Sequence, residues 1–127
     1  MTDNLLHSYS RAQAVADGVL FDASQQAGPA GMLGGFRVPV AVTASLWAII
    51  EAIPASLAGI ADARGRLHDV LWMAAVAARR QPQEPRVSFT LHLPHRGSRQ
   101  RLVHLVLAIG PGDRGEPVVT IGYPEDF

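Results

Sequence analysis

Arg86-Val-Ser-Phe-Thr-Leu-His-Leu93, Arg101-Leu-Val-His-Leu-Val-Leu-Ala-Ile109 and Pro117-Val-Val-Thr-Ile-Gly-Tyr123 follow one another as three runs of apolar and β-branched residues. Each has the two-residue period of a strand, and two turn-rich pieces separate them, Pro94-His-Arg-Gly-Ser-Arg99 and Gly110-Pro-Gly-Asp-Arg-Gly-Glu116. Val87, Phe89, Leu91 and Leu93 share one face, as do Val103, Leu105, Leu107 and Ile109, and then Val119, Ile121 and Tyr123. Centring the first hairpin on Gly97 sets Leu91 opposite Val103, Phe89 opposite Leu105 and Thr90 opposite His104, so the apolar faces coincide. The reverse face carries Ser88, Thr90, His92, Leu102, His104, Val106, Ala108, Val118 and Thr120. That face is too apolar for open solvent and too polar for an ordinary core.

Working back from the strands, Ala63 to Arg80 has the pattern of a long helix, with Asp62 as its N-cap and Pro82 and Pro85 beyond its end. Leu67, Val70, Leu71, Ala74, Ala75 and Ala78 form its main apolar face. Trp72, Met73 and Val76 make the other side apolar too, which predicts burial on more than one side. Thr43 caps a shorter helix, Ala44 to Ile53, which Pro54 ends. Phe36, Val38 and Val40 alternate around Arg37 and Pro39, predicting a short edge strand, because proline cannot donate to a ladder. Residues 24–35 read as a loop or one helical turn. Ser10 with Gln13 is a capping box, so Arg11 to Asp17 reads as a short helix stopped at Gly18 and followed by the apolar step Val19-Leu20-Phe21. The expected fold is one α+β domain over residues 1–127. Its N-terminal helices and long central helix pack on a C-terminal three-stranded antiparallel meander, with a short extra edge strand.

Composition bounds the function. With 127 residues, 48% apolar and 17% charged, the chain can bury a proper core, which excludes disordered and collagen-like classes. No apolar run approaches the ~18 residues that span a bilayer. Met1-Thr-Asp-Asn-Leu-Leu6 has an acid where a signal peptide has basic residues. There is no cysteine, hence no disulfide or thiolate metal site, and the expected location is cytoplasmic. The formal net charge is zero, yet Arg79, Arg80, Arg86, Arg96, Arg99 and Arg101 face only Glu84 between positions 79 and 101, a local excess of five. All basic residues are arginine.

Few residues suggest chemistry. His92 and His95 are three apart, so a strand points them to opposite faces, and no carboxylate stands near to complete a metal site. No metal and no small-molecule cofactor is expected. Thr90, His104 and Thr120 share the reverse sheet face. Small ribonucleases place His, Arg and hydroxyl groups on such a face, with His104 as the acid or base and Arg99 or Arg101 on phosphate. The plainer reading is a half-buried histidine hydrogen-bonded to Thr90. His68 and Asp69 are helix neighbours that do not face each other. Gly28-Pro-Ala-Gly-Met-Leu-Gly-Gly35 lacks the lysine of a phosphate loop and reads as a connector, and Gly110 to Gly115 is at best a weak phosphate cradle. The arginines carry more. Two end the helix, Arg86 starts a strand, and three line the first hairpin, with the strand between them about 25 Å long. Such a stripe suits a phosphate backbone better than a small anion, while the plainer reading is a solvated rim.

Tyr9 to Asp22, Gly65-Arg-Leu-His-Asp-Val-Leu-Trp-Met73 and Gly110 to Asp126 resemble a family of small uncharacterised bacterial proteins carried largely on plasmids and other mobile elements. The resemblance implies genomic context and no active site. The half-apolar reverse face and the helix apolar on all sides leave surface for a partner, so a homo-oligomer, most simply a dimer, is expected. The reading that follows is a non-enzymatic binding or regulatory module contacting nucleic acid through the arginine stripe. The alternatives are a ribonuclease or toxin-like enzyme using His104 with Thr90, and a protein-binding inhibitor of host defence.

Overall fold

A computed structural model describes residues 9–28 and 35–127. The sequence readings of residues 1–6 and of the interior of the 28–35 connector lie outside the described residues. Ser10 starts the first helix, α1 (Arg11–Ala16), with a reciprocal cap: its hydroxyl accepts from the Gln13 N–H and Gln13 Oε1 accepts from the Ser10 N–H, both at 3.0 Å. Gly18, at φ +76°, turns the chain into strand β1 (Leu20–Asp22). A single helical turn, α2 (Ser24–Ala27), follows. Strand β2 (Val40–Thr43) runs directly into α3 (Ala44–Glu51), where the Thr43 hydroxyl accepts from the Leu46 N–H. Helix α4 (Ala63–Arg80) begins at Asp62, which accepts from the Gly65 N–H at 2.7 Å, and ends on Arg79 and Arg80, where cations suit the macrodipole. Strands β3 (Arg86–His92), β4 (Leu102–Pro111) and β5 (Pro117–Gly122) follow, then a 3₁₀ turn at Pro124–Asp126.

The sheet has five strands in the order β1-β2-β5-β4-β3. Strand β2 runs parallel to β5, and the other neighbours are antiparallel. The expected three-stranded meander is therefore corrected to a mixed five-stranded sheet, of which β3, β4 and β5 form one side. The strand expected around Phe36 to Val40 begins at Val40 and is internal, not an edge. Its four residues are all buried, so it shows no alternation that would have marked it. In the β3–β4 ladder, Phe89 pairs with Leu105, Thr90 with His104 and Leu91 with Val103.

Helices α3 and α4 cover the odd-numbered face of β3 to β5. Leu67, Val70, Leu71 and Ala74 of α4 join Leu46 and Ile50 of α3, Leu105 and Leu107 of β4 and Ile121 of β5 in one core. Phe21 stacks on Trp47 at 3.9 Å between ring centres, closing the β1 end. Two expectations about this layer are corrected. Trp72 is 39% exposed on the outer side of α4, and Ile109 is 42% exposed near the end of β4. On the reverse face, Val106 and Val118 are buried, while Ser88, Thr90, His92 and His104 are exposed. Helix α1 lies on this second face. Arg11 donates to Thr120 Oγ1 at 2.8 Å and to the Val119 carbonyl at 2.7 Å, and the Asp113 carboxylate accepts from the Arg11 and Ala12 N–H groups.

Candidate nucleic-acid interface

The β3–β4 connection, residues 93–101, is held at three points. Leu93 N–H donates to the Arg101 carbonyl at 2.7 Å and closes the hairpin base. Arg96 N–H donates to the Ala52 carbonyl at 2.7 Å, tying the loop to the end of α3. The third point is Arg66, whose side chain is only 5% exposed. Its Nε donates to the Ile50 carbonyl at 2.8 Å, and Nη2 donates to the Ile49 carbonyl at 2.9 Å and the Pro94 carbonyl at 2.8 Å. One guanidinium thus bonds carbonyls at the C-terminal end of α3 and fixes Pro94, the second residue after β3. Burial pushes the Arg66 pKa down and the charge of Asp69 draws it back up.

Between this loop and the Pro54–Leu57 turn lies an open cavity of about 420 Å³. His92, His95, Ser98, Arg99, Gln100 and Arg101 line it with Ser56, and no acid does. The ring Nδ1 of His95 is 3.1 Å from the Leu93 carbonyl oxygen. A carbonyl can only accept, so Nδ1 carries the hydrogen in this contact. Arginine, amide and hydroxyl donors along one wall make a surface that can hold a phosphate group. Gly97, at φ +87°, forms the loop tip, a conformation that costs glycine little.

The structure divides the remaining candidates. Arg96, Arg99 and Arg101 stand together on the hairpin and are exposed. Arg79 and Arg80 are exposed at the end of α4, and Arg86 opens β3, all at the strand end far from the hairpin. The Arg86 guanidinium lies 5.1 Å from the centre of the Phe127 ring, a cation–π contact. His104 and Thr90 are cross-strand partners with Nδ1 and Oγ1 3.1 Å apart on the exposed face. Thr120 is separated from them: it pairs with Ala108, one helix covers it, and its hydroxyl accepts from Arg11. His92 lines the cavity together with His95, and among the described residues no group of three or more His, Asp or Glu is placed to hold a metal. His68 Nδ1 is 3.9 Å from Asp69 Oδ1, beyond hydrogen-bond reach. In the Gly110–Gly115 loop a carboxylate, Asp113, occupies the start of α1, which leaves no anion cradle there. Its pKa is lowered by the two backbone bonds it accepts from Arg11 and Ala12.

Sequence reasoning missed Arg66, which reads as one more helix-surface cation. Its only signal is position: it stands one residue before Leu67 and four before Val70, on the border of the apolar face. It also missed Asp126. This carboxylate accepts from Thr43 Oγ1 at 2.7 Å, Ser45 Oγ at 2.7 Å and the Tyr123 N–H at 2.8 Å, tying the C-terminal turn to the β2–α3 junction. Burial raises its pKa, and the three bonds outweigh that and hold it below the usual carboxylate value.

No curated protein and no solved structure matches this chain. The model of the family described as "Family of unknown function (DUF6573)" matches residues 1–127. The match covers every element described above, the hairpin and its anchoring arginine included, and the chain belongs to that family of unknown function.

Proposed function

We propose that this chain is a non-enzymatic binding module that engages the phosphate backbone of a nucleic acid through its β3–β4 hairpin. One observation carries the reading: Arg99 and Arg101 line a cavity with no acid in its wall, on a loop anchored at Leu93, Pro94 and Arg96. An anchored loop loses little conformational freedom on binding, which favours a preformed phosphate site over a merely solvated rim. Arg96 extends the same surface, and Arg79, Arg80 and Arg86 form a second basic set at the other end of β3. The resemblance to mobile-element proteins suits a regulatory role on a plasmid. Fluorescence anisotropy with short single-stranded RNA and DNA at low salt tests the proposal. Binding by the wild type, lost on Arg96→Ala with Arg99→Ala and Arg101→Ala, supports it; no binding at low salt defeats it.

A second reading rests on the Thr90–His104 contact, which leaves Nε2 of an exposed histidine beside a hydroxyl on the same face as His92. That arrangement would suit a small ribonuclease with His104 as its acid or base. RNA cleavage by the wild type that disappears in a folded His104→Ala variant would favour it. Inert wild-type protein would remove it.

A further inference from the structure

Strand β3 is an edge of the sheet, and its ladder fixes which backbone groups point outward. Leu93 donates to Arg101 and Ile109 donates to the Pro85 carbonyl, so the odd-numbered residues of β3 bond to β4. The even-numbered residues, Arg86, Ser88, Thr90 and His92, turn their N–H and C=O groups to the open side, and all four are exposed. Natural edges are blunted by brevity, proline, bulges or central charges. The opposite edge, β1, has three residues. Strand β3 has seven, with no proline and no charge between Val87 and Leu91.

We propose that β3 pairs antiparallel with β3 of a second copy, about a two-fold axis at Phe89. Outward groups then meet outward groups: Ser88 faces the partner's Thr90, and Arg86 faces the partner's His92. This register pairs all seven residues of the strand, and no two arginines oppose one another. Continued past the strand, it sets Glu84 against the partner's Pro94, beside the partner's His95 and Arg96. Glu84 is the one acid between Arg79 and Arg101, so the register brings it to a cation across the interface. The helix layer supports the same seam. Arg66 marks the side of α4 that faces α3, and at ~100° per residue His68, Trp72, Ala75 and Arg79 lie on the opposite side, toward the open edge. The exposed Trp72 there suits a neighbouring helix. The two-fold also sets the hairpin of one copy beside Arg79, Arg80 and Arg86 of the other, joining two basic sets that one chain keeps apart.

The test is the mass of the full chain in solution without nucleic acid, by light scattering at ~100 µM, where a micromolar dimer is formed. The expected value is twice 13.6 kDa. Ser88→Pro removes an outward N–H and no β3–β4 bond, so this variant should keep its circular dichroism and become monomeric. Glu84→Arg and Arg96→Glu should each weaken association by about fivefold or more, and together they should restore it. If Ser88→Pro fails to fold, the charge exchange decides alone. A monomeric wild type, a dimeric folded Ser88→Pro, or charge variants without effect would overturn the interface. A monomer that binds RNA would leave the phosphate-binding reading standing, and a dimer that binds none would do the reverse.

Discussion

Replacing Arg66 with methionine removes a side chain that joins α3, α4 and the hairpin. The guanidinium donates three bonds of 2.8, 2.9 and 2.8 Å to the Ile50, Ile49 and Pro94 carbonyls. A hydrogen bond to a charged group is worth about 1.5–3 kcal/mol, so the gross loss is roughly 4–9 kcal/mol. Methionine fills most of the stem volume and relieves the several kcal/mol that desolvating the charge costs. The net destabilisation should therefore be about 3 kcal/mol. For a chain of this length that lowers Tm by ~10 °C. Urea unfolding followed by far-ultraviolet circular dichroism, with thermal melts alongside, gives both values. Arg66→Lys separates charge from shape, since an ammonium on one flexible stem cannot reproduce the fork to two segments; it should recover less than half of the loss. Amide exchange at Arg96, whose N–H bonds to Ala52, should quicken in the methionine variant, because Pro94 is released two residues away. If Arg66→Met unfolds within ~0.5 kcal/mol of the wild type, the buried fork is not an anchor and the preformed hairpin loses its support.

Gly122 packs where no side chain fits: a Cβ there would lie 2.5 Å from Thr43 Cγ2 and 2.6 Å from Thr43 Oγ1. Gly122→Ala should cost about 1–3 kcal/mol in chemical denaturation, as overpacking does. Asp126 has a folded pKa below its ordinary 3.8, so its contribution to stability is present above that value and is lost as pH falls through the lower folded one. Thermal melts from neutral pH down to about pH 2.5 should therefore show an acid-induced drop that is shallower in Asp126→Asn. Equal acid sensitivity in both proteins would contradict the assigned bonds. His104→Ala, at an exposed position, should change stability by no more than ~0.5 kcal/mol.

What the sequence made legible follows from how each element is buried. Strands β3 and β4 have a covered and an open face, so their alternation is visible and places Thr90 against His104. Helix α4 was readable from Asp62 to Arg80 because a cap, a periodic face and two prolines bound it. Strand β2 was misplaced, since burial on both faces leaves Val40 to Thr43 as a short apolar run with no period. Its parallel pairing with β5 joins segments far apart in the chain and has no local mark. The reverse face looked ambiguous because two environments share it: α1 packs at Val118 and Thr120, while Thr90, His92 and His104 remain open. At the candidate site, clustering identified the arginines, but which of them converge depends on the ends of β3. Arg66 and Asp126 escaped because a charge on a helix or near a terminus looks solvated until the carbonyls or hydroxyls around it are known.

The salt dependence of RNA binding tests the central claim most directly. Log Kd plotted against log salt for a short single strand should have a slope set by the number of phosphates neutralised, at ~0.7 per phosphate. Arg99→Ala with Arg101→Ala should lower that slope by about 1.4 while leaving the fold unchanged. An unchanged slope and affinity in that variant would show that the hairpin does not hold the phosphates.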